Sequence, residues 1–298
     1  MKKILGIVVI AVLTVALMAG CAPADSTDDG TVESTFDASK DIAVISREDG
    51  SGTRGAFIEL VGLLEEDANG EEFDMTTVDA EISSSTGTVI TSVAGNKYAI
   101  GYISLGSLND TVKALKVDGV EATVDNIKEG SYAIARPFNL ATLGEVSENA
   151  QDFLDFIMSA EAQAVIEEEG YISVVSDASA YSGSMAGGKV TLAGSTSVAP
   201  CMEKLVEAYK AINPDVVIEI QAIGSSGGMT SAIDGICDIG MASRELKDSE
   251  LQAGLTPIVM AMDGIAVIVN KANPVEDIST EQINAIYRGE VPTWAEVQ

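Results

Sequence analysis

Ser46-Arg47-Glu48-Asp49-Gly50-Ser51-Gly52-Thr53-Arg54 lies near the start of the chain, after the β-branched run 42–45 and before a helically spaced stretch at 55–64. Gly194-Ser195-Thr196-Ser197-Val198-Ala199-Pro200 and Gly224-Ser225-Ser226-Gly227-Gly228 repeat that context in the second half. Loops of this composition aim backbone N–H groups, small hydroxyls and a helix N-terminus at one point, which is how a chain builds a cradle for an anion. Around them strand-like and helix-like runs alternate, and repeated βα units imply an α/β fold with mainly parallel sheets and helices on both faces. Ligands of such sheets sit beyond the carboxyl ends of the strands, where all three loops fall.

Periodicity fills in the rest. Runs at 98–103 and 132–136 read as strands, the second stopped by Pro137, and 113–124 as a hairpin turning at Asp118-Gly119. Residues 149–169 read as one long helix with Phe153, Phe156, Ile157, Ala164 and Val165 on one side, ended by Gly170. The small polar stretch 176–188 reads as a linker. Beyond it, strands at 190–193, 216–220, 237–240 and 265–269 alternate with helices at 202–212, 229–234 and 280–288, the last capped by Ser279.

The 298 residues include 46 acidic and 17 basic side chains and no histidine, for a net charge of −29. That balance argues against nucleic acid and anionic membrane surfaces as partners. The lack of histidine removes Ser-His-Asp and Cys-His nucleophiles and His-containing zinc sites, and no cofactor or metal is expected. Net charge does not decide the ligand's sign, because N–H dipoles in contact outweigh surface carboxylates that salt screens over roughly 8–10 Å. Met241, Met260 and Met262 read as packing residues, Trp294 as a helix-end anchor, and Glu65-Glu66-Asp67 with Glu71-Glu72 as solvated surface. Cys201 and Cys237 either pair or sit as free thiols in the core.

Lys2 and Lys3 before the apolar stretch 4–18 read as an export signal over 1–20, too short for a comfortable membrane span. Met18-Ala19-Gly20-Cys21 resembles a bacterial lipobox, with Met where Leu is usual. That implies lipidation of Cys21 and anchoring on the extracytoplasmic face of the cell membrane. Residues 21–40, acidic and poor in large apolar side chains, read as a flexible tether.

The second-half loops, with Asp238-Ile239-Gly240-Met241-Ala242-Ser243-Arg244, Asp263-Gly264-Ile265-Ala266-Val267-Ile268-Val269-Asn270 and 283–294, resemble the first half of the phosphate-binding protein of bacterial ABC transporters, the Pst type. Residues 42–57, Ala99-Ile100-Gly101-Tyr102-Ile103 and 132–137 resemble its second half, and Glu169-Gly170-Tyr171-Ile172 its usual ending. The halves stand in swapped order, as in a circular permutation with 176–188 joining the old termini and a new break between the equivalents of Gln298 and Asp41. A truncated tandem duplication gives the same order. The resemblance implies a hinged, two-lobed type II periplasmic-binding-protein-like fold. One lobe is 134–267, the other 41–133 with 268–298, and the chain crosses near Ala133-Ile134 and Ala266-Val267.

The same resemblance implies inorganic phosphate as ligand and membrane ABC permease subunits as partners. Thr196, Ser197 and Ser225 match phosphate-loop donors, Arg47 the arginine that clamps the ligand, and Ser51, Gly52 and Thr53 the donors at a helix start. Asp49 matches a carboxylate that pairs with that arginine. Ser243 stands where many members carry an aspartate that accepts the ligand's proton; a serine can accept that proton or donate one. Whether Arg244, beside it, reaches the ligand stays open. Three alternatives remain: another oxyanion such as sulfate or molybdate, a Ser-Lys hydrolase for which no lysine is suitably spaced, or a non-transporting surface lipoprotein for signalling or adhesion.

Overall fold

The computed structural model describes residues 36–67, 72–183 and 187–297. The export segment, Cys21 and the tether as far as residue 35 lie outside the described residues. The first part of the chain forms β1 (Ala43–Arg47), α1 (Gly52–Leu60), β2 (Leu64–Glu66), β3 (Glu72–Asp74), β4 (Glu81–Ser83), α2 (Thr86–Gly95) and β5 (Ala99–Ser104). Then come β6 (Val112–Ala114), β7 (Lys116–Val117), α3 (Val124–Lys128), β8 (Ala135–Leu143), α4 (Glu148–Ile157), α5 (Ala160–Glu168) and β9 (Ile172–Ser173). The remainder forms β10 (Gly188–Gly194), α6 (Ala199–Ile212), β11 (Val216–Ala222), α7 (Ser225–Ile233), β12 (Ile239–Ala242), α8 (Asp248–Gln252), β13 (Leu255–Asn270), β14 (Asp277–Ile278) and α9 (Thr280–Arg288).

The main sheet runs β11-β10-β12-β8-β13-β5-β1-β4. Its flanks are parallel, β10 with β11 and β12, and β1 with β4 and β5, whereas β8 and β13 join them through antiparallel pairings. The sheet is therefore parallel in each flank and antiparallel at its centre. Strand β13 is 16 residues long and serves both halves. From Leu255 to Gly264 it pairs with β8, and from Ile265 it pairs with β5 and β6. A large core forms on each side of that changeover. One packs Phe138, Phe153, Phe156, Leu192, Tyr209 and Met260, all within 138–261. The other packs Phe57, Tyr102, Val267, Ile283, Tyr287 and Trp294, from 56–134 and 265–297. The protein thus has two lobes that share a strand.

Local sequence explains most element boundaries, and several expectations are corrected. The stretch 149–169 is two helices, because Ser159 adopts an extended backbone and its hydroxyl accepts from the Ala162 N–H, so it starts α5 instead of continuing α4. Gly170, at φ +82°, ends α5 as expected. Pro137 does not stop its strand: β8 passes through it, paired with Met262, and β12 joins β8 only from Asn139, so few ladder bonds are at stake there. The tether does not extend to residue 40. The Phe36 ring packs against Tyr98 and Trp294, and the Ala38 carbonyl accepts from the Ala295 N–H. The linker 176–188 is partly anchored as well: Tyr181 packs against Phe156 and Tyr209, its hydroxyl bonds to Asp152, and β10 already begins at Gly188.

The turn at Asp118-Gly119 exists, with φ of +52° and +79°, but β7 pairs with β14 rather than closing a long hairpin. The Asp118 carboxylate instead accepts from the Thr280 N–H and hydroxyl at the start of α9. Trp294 is fully buried and donates from Nε1 to the Tyr98 carbonyl, while Met241 and Met260 lie in the core. Cys201 and Cys237 are free and buried, and burial pushes the Cys201 thiol up to about 12. Among the described residues, no helix is long and apolar enough to cross a membrane.

Candidate functional site

Parallel strands in each flank end their carboxyl termini toward the cleft, and each hands the chain to a helix there. Strand β1 leads to α1, β4 to α2, β10 to α6 and β11 to α7. The residues at those helix starts meet across the two lobes. The Thr53 hydroxyl lies 2.8 Å from that of Ser197, which is 3.0 Å from Thr86 Oγ1. Each helix N-terminus carries roughly half a positive charge from its aligned peptide dipoles. The N-termini of α1, α2 and α6 therefore sum at one buried cluster of hydroxyls, and that of α7 lies against Gly52 at the start of α1.

Arg47 supplies the formal charge. It closes β1 and is 2% exposed. Its Nε and one Nη2 hydrogen bond 2.8 Å to the two carboxylate oxygens of Glu48. The other end of the guanidinium faces the cluster, with Nη2 3.1 Å from Thr196 Oγ1 and Nη1 3.5 Å from Thr86 Oγ1. The planar fork that suits an oxyanion is thus held in place by a carboxylate on one edge and presented to the cleft on the other. The expected partner of Arg47 is corrected by this geometry: Glu48, not Asp49, holds it. Asp49 is almost fully exposed and pairs 2.6 Å from Arg54 Nη1. Arg54 in turn donates to the Arg47 carbonyl at 2.8 Å and to Asp74, which braces the loop from outside.

Ser51 caps α1 by accepting from the Arg54 N–H, which leaves its hydroxyl hydrogen for a ligand. Gly52 follows where the two lobes press together. A Cβ there would collide with Ser225 Oγ and lie 2.8 Å from Ser243 Oγ. The opposite face is a chain of serines. Ser195 accepts from the N–H groups of Ser197 and Val198 and donates to Ser243 Oγ at 2.9 Å. The Ser243 N–H donates to Ser225 Oγ at 3.1 Å. Because its oxygen already accepts from Ser195, the Ser243 hydroxyl has its own hydrogen to give. The Gly50 carbonyl accepts from the Ser226 N–H across the cleft, so the lobes are in contact at this point.

Every residue expected at the site comes together here except Asp49, which faces solvent, and Arg244, whose guanidinium is taken up by Glu250 at 2.8 Å from each nitrogen. Arg244 also reaches Ser226 Oγ at 3.3 Å. Two residues escaped the sequence reading. Thr86 stands at the head of α2 in Ser85-Thr86-Gly87-Thr88, a Ser/Gly/Thr helix start of the same kind as the others, though its capping box is the signal that would have found it. Glu48 is hidden by its neighbour, since two adjacent carboxylates read alike.

A profile of the PBP superfamily domain matches residues 28–161 and 179–298. The phosphate-binding protein PstS 2 of Streptococcus agalactiae serotype V is 48% identical over 285 residues, 95% of this chain and 94% of that protein. The crystal structure of a phosphate ABC transporter's phosphate-binding protein from Streptococcus pneumoniae TIGR4 is 44% identical, with a TM-score of 0.69, covering 87% of this chain and 100% of that one. The phosphate-binding protein PstS of Pseudomonas aeruginosa is 34% identical over 125 residues, 37% of this chain and 39% of that protein.

Proposed function

The chain belongs to the PstS-type phosphate-binding proteins of the PBP superfamily, and on that premise we propose which residues hold the anion and how the protein is deployed. It is the binding component of a phosphate ABC transporter, not an enzyme. One phosphate is held between the lobes by Arg47, Ser51, Gly52, Thr53, Thr196, Ser197 and Ser225, with Thr86 added to the set. The observation that carries this reading is the meeting of the α1, α2 and α6 N-termini around the free edge of Arg47, with the α7 start lying against Gly52 of α1. A dry site must replace the ligand's water shell with many donors, and hydrogen bonds to a charged group contribute roughly 1.5–3 kcal/mol each. Direct bonds such as Thr53 to Ser197 are exchanged for bonds to the ligand.

Closure turns on the changeover of β13 at Gly264-Ile265 and on the approach to β8 at Ile134-Ala135, where the Ile265 N–H donates to the Ile134 carbonyl. The mature protein is held by lipid on Cys21 at the extracytoplasmic face of the membrane and delivers phosphate to permease subunits. Its order is a circular permutation. Asp41 bridges Thr293, so both sides of the new break lie together, and the Streptococcus agalactiae relative aligns over 95% of the chain while the Pseudomonas aeruginosa one aligns over little more than a third.

Calorimetric titration of phosphate-stripped protein tests the reading. Phosphate binds tightly, and sulfate binds measurably too, because Ser243 offers a hydrogen where an aspartate would repel a fully ionised anion. Absence of phosphate binding by folded protein contradicts the assignment.

A further inference from the structure

Two family-like segments carry a charge pair that the cleft does not touch. Arg136 on β8 and Asp263 on β13 are cross-strand partners, 2% and 1% exposed, with Nη2 3.1 Å from Oδ2. They lie where β13 leaves β8 for β5. Arg136 Nη1 donates at 3.0 Å to the carbonyl of Ser243, whose N–H and hydroxyl belong to the serine face of the anion site. Its guanidinium therefore stands one residue behind the cradle, near enough to Arg47 for the two charges to repel. Asp263 faces the other lobe, accepting from the Ser104 hydroxyl at 3.0 Å and from the Gly106 N–H. A buried ion pair contributes little to stability against an apolar replacement, so its place beneath a site for an anion calls for another use.

We propose that Arg136 is a positioning residue of the anion site: it fixes the Ser243 loop from behind and lends it positive charge, and Asp263 sets how much of that charge the ligand experiences. The inference rests on the cleft being the phosphate site. Burial pushes the Asp263 carboxyl up to about 6, while Arg136, Ser104 and Gly106 pull it down. The other titratable groups that feel its charge are the Tyr132 and Tyr171 phenols and the Cys201 thiol, all pushed upward by burial and neutral at ordinary pH.

Phosphate titration of the wild type, Asp263→Asn and Arg136→Met separates charge from mere support. At about pH 7.5, Asp263→Asn binds about tenfold tighter than the wild type and Arg136→Met about tenfold weaker. At about pH 5 the wild-type carboxyl takes up a proton and the advantage of Asp263→Asn disappears. Comparing variant with wild type at each pH cancels the titration of phosphate itself. Ser104→Ala serves as a milder second variant: with one donor to the carboxylate gone, the pH at which its affinity changes lies above that of the wild type. Wild-type binding with both charge variants weakened alike at both pH values overturns the role of the pair. A folded wild type that binds no phosphate overturns the site reading instead.

Discussion

Phosphate affinity falls by about a hundredfold or more in Arg47→Met, because two charge-assisted hydrogen bonds from the free edge of the guanidinium are lost together. The fold tolerates the change, since the stranded Glu48 carboxylate is 29% exposed and can reach water. Arg47→Lys keeps a charge but cannot span Glu48 and an oxyanion at once, so it recovers only part of the loss. Titration of both variants beside a thermal melt makes the comparison. Wild-type affinity in Arg47→Met removes this residue from the site, and with it the main argument for where the ligand sits.

Gly52→Ala produces the opposite signature from an ordinary packing mutation. The new methyl group collides with Ser225 Oγ and stands 3.0 Å from Ser225 Cβ, both on the opposite lobe. Separation of the lobes relieves the contact, so the unliganded protein melts at the wild-type temperature or slightly higher, as alanine favours a helix more than glycine does. Closure around a ligand restores the clash. Overpacking of this kind costs about 1–3 kcal/mol, which lowers phosphate affinity roughly tenfold to a hundredfold. A drop in melting temperature with unchanged affinity would show that Gly52 serves the lobe itself and not the cleft.

Much of this was legible in the chain because the chemistry is contiguous. The Ser51-Gly52-Thr53 and Ser195-Thr196-Ser197 loops write their donors in adjacent positions, and α9 announces itself through Ser279 and Gln282, which form a capping box. What escaped depends on direction and on distant partners. Nothing local distinguishes Glu48 from Asp49; the choice follows from Arg54, which reaches round from α1 to take Asp49. The break between α4 and α5 is hidden because Ala164 and Val165 keep the helical spacing of Phe153, Phe156 and Ile157 in the sequence, whereas α5 buries Ala162, Gln163 and Ile166 and leaves Ala164 exposed. The length of β13 was masked by Pro257, Asp263 and Gly264, residues that usually end strands: Pro257 lies within the β8 pairing opposite Ala141, and Asp263 and Gly264 sit where the strand passes from one lobe to the other. The Arg136–Asp263 pair is likewise invisible to spacing, because 127 residues separate its members.

The most direct test of the central claim is a crystal structure grown with phosphate after the protein has been stripped of bound anion. The account predicts one anion between the lobes, bonded to Nη1 and Nη2 of Arg47 and to the hydroxyls of Ser51, Thr53, Thr86, Thr196, Ser197 and Ser225, with Glu48 still on the far edge of the guanidinium. Phosphate bound elsewhere, or bound in the cleft without Arg47, would contradict it.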